Sequence, residues 1–191
     1  MSDATATLTR TVDGEVLPAP GDFALDPVHT HVGFSVRHMM ISKVRGRFSA
    51  FSGTLHVGDD PEQASVEVEI DLSSVDTKDP QRDSHLRSPD FFDVENYPTM
   101  TFRSTGVTNI DGDSFHLAGE LTLHGVTRPL TLDVVFDGVG TLGEDQRLGF
   151  SAAGEIDREA FGLTWNQTLE TGGVLVGKRV RIDIEAELVR I

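Results

Sequence analysis

Alternation of apolar and polar residues constrains this chain more than any other feature, because a period of two sends every apolar side chain to one face of an extended strand. In "SVEVEIDL" the apolar set is Val66, Val68, Ile70 and Leu72, and Glu67, Glu69 and Asp71 take the other face. "SFHLAGELTLHG" repeats the pattern with Phe115, Leu117, Leu121 and Leu123, and "PLTLDVVF" with Leu130, Leu132, Val134 and Phe136. Leu148, Phe150, Ala152 and Ile156 follow, then Val180, Ile182, Ile184, Ala186 and Leu188. With 31–38, 46–57 and 98–107 added there are about eight strands, a common number for a closed barrel. Turn residues at Gly58-Asp59-Asp60-Pro61, Asp111-Gly112, Gly125 to Pro129 and Gly143-Glu144-Asp145 keep the loops short and the neighbours antiparallel. Full charges at mid-strand on the polar face exclude a lipid-facing exterior. The pattern therefore predicts an all-β, eight-stranded antiparallel barrel with an apolar inside.

Two stretches interrupt it. Asp79-Pro80 is a helix start running to about Arg87, and Ser88-Pro89-Asp90 is a second N-cap, so one or two short helices are expected around residues 79–93. Residues 157–175 form a long Gly-containing segment with the only Trp. Both are candidate lids over a barrel mouth. Residues 1–21 read as an N-terminal extension in which Asp13-Gly14 signals a small hairpin or arm; the barrel domain is 22–191.

Composition narrows the function. A formal charge of −15 repels phosphate backbones and anionic bilayers, which makes nucleic acid an unsuitable partner. No segment approaches the ~20 apolar residues of a membrane helix, so stable membrane insertion is not expected. The N-terminus has neither a basic start nor a long apolar run, and a cytoplasmic location is expected. Cysteine is absent, which removes thiolate chemistry and cysteine-metal sites. Eleven Phe against one Tyr and one Trp favour a dry interior, since Phe carries no polar tip.

Several short motifs have plainer readings than the chemistry they spell. Gly138, Gly140 and Gly143 spell a dinucleotide fingerprint, but the following residues alternate as a strand, so the run reads as a Gly-rich hairpin. His29 and His31 share one strand face and His38 falls on the other, beside Val32, Phe34 and Val36; no single metal shell collects all three. Asp83, Ser84 and His85 are adjacent on a helix and cannot relay among themselves. Phe91 and Phe92, flanked by Asp90 and Asp93, either plug the core or line a ligand's path.

The runs "DPVHTHVGFSVRHMMISKVRGRFSAFSGTL", "SVDTKDPQRDSHLRSPDFFDVENYPTMTFRS", "GELTLHGVTRPLTL", "DREAFGLTW" and "KRVRIDIEAELV" resemble the YceI-like family, named also for polyisoprenoid binding. The resemblance covers nearly everything after residue 22. It implies a lipocalin-like barrel whose lumen holds an isoprenoid or other amphiphilic chain, with its head near the mouth. Matching motif positions are His29, Phe34, His38, Asp83, His85, Leu86, Asp90, Phe91, Phe92, His124, Gly125, Arg158, Phe161 and Gly162. The same resemblance implies a homodimer as an option.

The expectation is a non-enzymatic carrier, store or sensor of a long-chain lipid. An eight-stranded barrel is wide enough only to be filled by side chains or to hold one slim ligand. Tail contacts are assigned to Phe34, Val36, Val68, Ile70, Phe91, Phe92, Phe102, Leu121, Leu123, Phe136 and Phe150, and head contacts to His38, His85 and Arg158. No metal, catalytic residue or cofactor is expected beyond a bound isoprenoid or isoprenoid-quinone-like lipid. Two alternatives stay open: a small enzyme on a lipid-like substrate with His38 or His85 as general base, and a filled barrel with a structural role.

Overall fold

In a computed structural model, which describes residues 8–191, a hairpin of β1 (Thr9–Val12) and β2 (Glu15–Pro18) precedes the barrel. The barrel is built from β3 (Gly21–Leu25), β4 (His31–His38), β5 (Ser42–Phe48), β6 (Phe51–Val57), β7 (Ser65–Asp71), β8 (Val75–Asp76), β9 (Thr99–Asp111), β10 (Ser114–Leu123), β11 (Val126–Leu142), β12 (Asp145–Asp157) and β13 (Val176–Arg190). These segments make eight staves, because β3/β4, β5/β6 and β7/β8 are each one stave with a kink. Every stave pairs antiparallel with its sequence neighbours. The last closes on the first, Leu188 lying opposite Leu25 of β3 and Ile182 opposite Phe34 of β4.

The kinks correct one expectation: residues 46–57 are not a single straight strand. Phe48 ends β5 facing inward and Leu55 and Val57 of β6 also face inward, so the inward row changes from even to odd numbers across Ser49-Ala50. A period-two strand can do this only by inserting residues. The same change of parity separates Phe23 from Val32, and Ile70 from Val75. Three adjacent staves thus bend at one level.

Turn chemistry sets the hairpins. Asp13-Gly14 and His124-Gly125 have both central residues at positive φ, as a two-residue turn matched to strand twist requires. The turn therefore sits at His124-Gly125 and not across Gly125 to Pro129, since β11 begins at Val126. Pro129 is tolerated there because β11 pairs with β12 only from Asp133 onward. The Gly138–Gly143 run is the β11–β12 hairpin, with Gly143 at φ +65°.

One α-helix, α1 (Pro80–Arg87), occupies the β8–β9 connection, with the Asp79 carboxylate accepting from the amides of Gln81 and Arg82. The second N-cap at Ser88 opens no helix. Instead the chain folds back on α1, the Phe92 amide donating to the Leu86 carbonyl and Val94 to Arg87. That reversal sends Phe91 and Phe92 toward the barrel axis. The end of the barrel carrying α1 is termed the helix end, and the end carrying the β1–β2 hairpin the arm end.

The seam between first and last staves crosses the kink at 26–30, where only half a rung is made by backbone: the Asp26 amide donates to the Glu187 carbonyl at 2.8 Å. Thr30 completes it, its hydroxyl accepting from the Glu187 amide at 3.0 Å and also donating to the Glu187 carbonyl at 3.1 Å. Outside the seam, Arg147 of β12 donates to Asp26 at 2.7 Å and also to Glu187, while His29 lies 2.8 Å from Asp26. Hydrogen bonds from His29 first, and Arg147 second, hold the Asp26 carboxyl well below the usual carboxylate range. A depressed carboxyl stabilises the fold above its unfolded value of about 3.9 and loses that contribution as pH falls below it. Asp26→Asn should therefore lower the urea midpoint at neutral pH, with the gap to wild type narrowing once pH drops below about 4. A gap that is constant across that range would show that Asp26 contributes no such charge-dependent stability.

A candidate ligand-binding lumen

The inward rows enclose a cavity of about 300 Å³, at the lower bound of small-molecule sites, which span roughly 300–1,000 Å³. Its wall is apolar except for Arg10, Thr30, Thr54 and Arg158. Glycines give the aromatic rings room. A side chain at Gly119 would begin 2.3 Å from the Phe102 ring and 2.6 Å from the Arg103 carbonyl, and one at Gly46 would begin 2.3 Å from Phe34. Both rings lie over bare backbone and still face the cavity.

Of the residues assigned to the tail, Phe34, Val36, Val68, Ile70, Phe91, Phe92, Phe102, Leu121, Leu123 and Phe150 line the cavity. Phe136 does not. It is buried at the arm end against Phe150, ring centroids 5.2 Å apart, in a second apolar cluster with Phe23, Leu55 and Leu148. It faces inward as parity predicts, level with Phe150, but its ring is packed within that cluster and not on the cavity.

The helix end is a set of stacked rings. Phe34, Phe48 and Phe92 follow one another at 5.5 and 5.9 Å, and Trp165 packs on Phe91 at 5.3 Å. Side chains of α1 tie it to the barrel: buried Asp83 accepts from the Thr77 amide and hydroxyl, Arg82 donates to Thr77, and Arg87 donates to the carbonyls of Ser73 and Val75. Asp83 is thus a latch, and α1 is a fixed cap. His124, in its tight turn, lies 3.2 Å from the Phe161 carbonyl and packs against Tyr97.

The three residues assigned to the head separate. Arg158 is 3% exposed, lines the cavity and has no carboxylate within ion-pairing distance among the described residues. Its guanidinium donates to the carbonyls of Gly177 at 2.9 Å, Leu163 at 2.5 Å and, weakly, Val176 at 3.4 Å. Burial lowers its pKa; Glu159 and Asp157 oppose that from a distance, and Glu159 is engaged by Lys178 at 2.7 Å. Five donors against three carbonyls leave N–H groups to spare in an apolar enclosure. Such a group is costly to bury and suited to an acceptor on a ligand.

His38 and His85 are not part of the cavity wall. The inward row of β4 reaches the lumen only as far as Val36, and His38 follows at the strand end, paired in register with Val176 and Ser42. His85 sits on the rim, edge-on to Phe91 and Trp165 at 5.0 and 4.7 Å, with Nε2 2.8 Å from Asp90. The neighbouring Ser88 hydroxyl donates to the His85 carbonyl. Among the described residues, Asp26, His29 and Glu187 are the one group with the spacing of a metal site, and the guanidinium of Arg147 donates to both carboxylates of that group.

Sequence reasoning missed Arg10 and Leu17. Arg10 reaches from β1 to the carbonyls of Asp59 at 2.6 Å and Gly58 at 2.7 Å, and its Nε is buried without a partner. Leu17 is 6% exposed and lines the lumen with Pro18. The arm closes this end of the barrel. The chain contains no cysteine, so Val57→Cys, at the arm end, gives a single reporter. Adding Arg10→Ala and Leu17→Ser should speed its maleimide labelling roughly tenfold or more, since one charge-assisted bond contributes ~1.5 kcal/mol. Equal rates would mean that the arm does not shield the lumen.

Comparison with known proteins supplies the lineage. The model of a YceI-like domain matches residues 23–188. A UPF0312 protein of Staphylococcus epidermidis is 38% identical over 169 residues, covering 86% of this chain and 95% of the relative. The crystal structure of a Campylobacter jejuni YceI protein is 33% identical, covers 87% of this chain and 96% of its own, and superposes with a TM-score of 0.68. At 17% identity, a polyisoprenoid-binding domain from Saccharophagus degradans shares the fold with a TM-score of 0.63, covering 91% of this chain and all of its own. The chain belongs to the YceI-like family.

Proposed function

We propose that the protein binds one long-chain amphiphilic lipid, an isoprenoid or isoprenoid-quinone-like molecule, with its tail in the lumen and its head against Arg158, and does not transform it. The observation that carries this reading is an almost wholly apolar cavity with a buried, carboxylate-free guanidinium at the helix end. A tail burying on the order of 300 Å² would gain ~7 kcal/mol at about 25 cal/mol per Å², before ordering costs. Affinity then needs no chemistry. The choice of an isoprenoid is supported by the family and by the ligand class of the Saccharophagus domain. Binding without turnover is favoured by the placement of both candidate bases: His38 and His85 lie outside the cavity wall, and His85 is engaged by Asp90.

Native mass spectrometry of gently purified protein tests this, and reports subunit count in the same spectrum. One long-chain lipid per barrel, lost after organic extraction, is expected. Arg158→Met should still take up a chain but bind it about tenfold to a hundredfold more weakly, the ~1.5–3 kcal/mol of a charged hydrogen bond. Protein that carries no lipid and takes up no prenyl compound would overturn the proposal.

A further inference from the structure

The β4–β5 hairpin departs from the rest of the molecule in charge, exposure and backbone geometry. From residue 27 to 58 the chain contains no Asp or Glu, yet it holds Arg37, Lys43, Arg45 and Arg47, within a protein of formal charge −15. All four point outward. Arg37 lies directly opposite Lys43 across the hairpin, with Arg45 next on the same face, an arrangement that costs stability. Arg181 of β13 lies on the far side, opposite Ser35, two residues along β4 from Arg37. Asp76 and Asp183, on adjoining strands, face Arg47 and His31 at 3.2 and 3.6 Å. Among the described residues Arg37, Lys43, Arg45 and Arg181 form no ion pair.

The tip of this hairpin is apolar and open. Met39, Met40 and Ile41 are 42%, 61% and 80% exposed, three consecutive side chains in water. Met39 and Met40 both adopt the left-handed region, at φ 51° and 64°, which is unfavourable for residues with a side chain. The turn is nevertheless fixed, by the Met39 amide on the Leu175 carbonyl at 2.8 Å and the Ile41 amide on His38 at 3.2 Å. The positive φ values belong to the tight turn, but like-charge crowding and exposed apolar surface in one place are not explained by folding. Nor is the place arbitrary: His38 pairs with Val176, whose carbonyl accepts from Arg158, so the tip stands beside the helix end of the lumen.

We propose that this hairpin is a membrane-docking element, which inserts Met39, Met40 and Ile41 into the interface of an anionic bilayer while Arg37, Lys43, Arg45 and Arg181 face the lipid head groups. An apolar tip ringed by cations is the combination that such an interface selects. Screening keeps the acidic remainder from cancelling it, because charges more than about 8 Å apart at physiological salt interact little. Docking here sets the helix end of the lumen at the bilayer, where an amphiphilic chain resides.

The test is flotation of the full chain with vesicles of phosphatidylcholine alone and of phosphatidylcholine mixed with phosphatidylglycerol. Docking is read whether or not the lumen holds a chain, so it is independent of the lumen reading. Binding only to the anionic vesicles, lost at high salt, is expected. Arg37→Gln, Lys43→Gln and Arg45→Gln together should weaken it about a hundredfold, at roughly fivefold per cation. Met39→Ser, Met40→Ser and Ile41→Ser should also release it. As a measurement that leaves the charges intact, a polarity-sensitive dye on Ile41→Cys should shift to the blue on anionic vesicles. No binding to either vesicle, anionic binding that survives both triple variants, or a dye that stays in water would each overturn the proposal.

Discussion

The barrel depends on the pairing of its first stave with its last. Seven of the eight neighbour pairs are linked by chain connections along the sequence, whereas β13 must find β3 and β4 from the far end of the chain. Closure there removes the sheet edges and gives the inward rows a common axis. It is made across a kink, where the Asp26 amide reaches the Glu187 carbonyl and a side-chain hydroxyl meets the Glu187 amide. The Thr30 hydroxyl acts as both donor and acceptor at that gap, and Arg147 holds Asp26 and Glu187 together from outside. Without this repair the ladder would open where three staves bend.

Bending and closure together shape the lumen. The kinks at Asp26–Thr30, Ser49-Ala50 and 72–74 turn three staves at one level, so the inward row continues after each change of parity. Each end is then finished by an arginine and by groups that are not barrel strands. At the helix end these are α1, latched through Asp83 to Thr77, and the 3-10 turn Arg158–Phe161. At the arm end the β1–β2 hairpin supplies Arg10 and Leu17. The two arginines differ. Arg10 spends its terminal donors on loop carbonyls, while Arg158 lies buried at the helix end with donors to spare.

Much of this was legible in the sequence. Period two identified the faces of β7, β10, β11, β12 and β13, and Asp79-Pro80 located α1 to the residue. Periodicity reports which side of a stave a residue faces and not which neighbouring side chains stand between it and the cavity. His38 follows Phe34 and Val36 in parity but is not in the lumen wall although its partner Val176 is, and Phe136 is packed in the second apolar cluster beside Phe150. The parity slip from Phe48 to Phe51 was a readable sign of the kink, hidden because both residues are Phe on an apparently continuous run. Arg10 and Leu17 carry no local signal, since only tertiary docking of the arm brings them to the lumen. The role of Asp83 carries no local signal either, its partner Thr77 being visible only after the helix folds against β8.

The central claim is that the apolar interior is a place for a ligand and not merely a core. Equilibrium binding of a prenyl alcohol to the wild type and to Leu121→Trp tests it most directly, because Leu121 is 4% exposed on the cavity wall and an indole there would take up the space. With thermal unfolding confirming that the variant is folded, the account predicts one chain per wild-type barrel and an affinity roughly tenfold or more weaker in the variant, as apolar contact at about 25 cal/mol per Å² is displaced. Equal affinity in a folded Leu121→Trp protein would contradict it and place the chain outside the lumen.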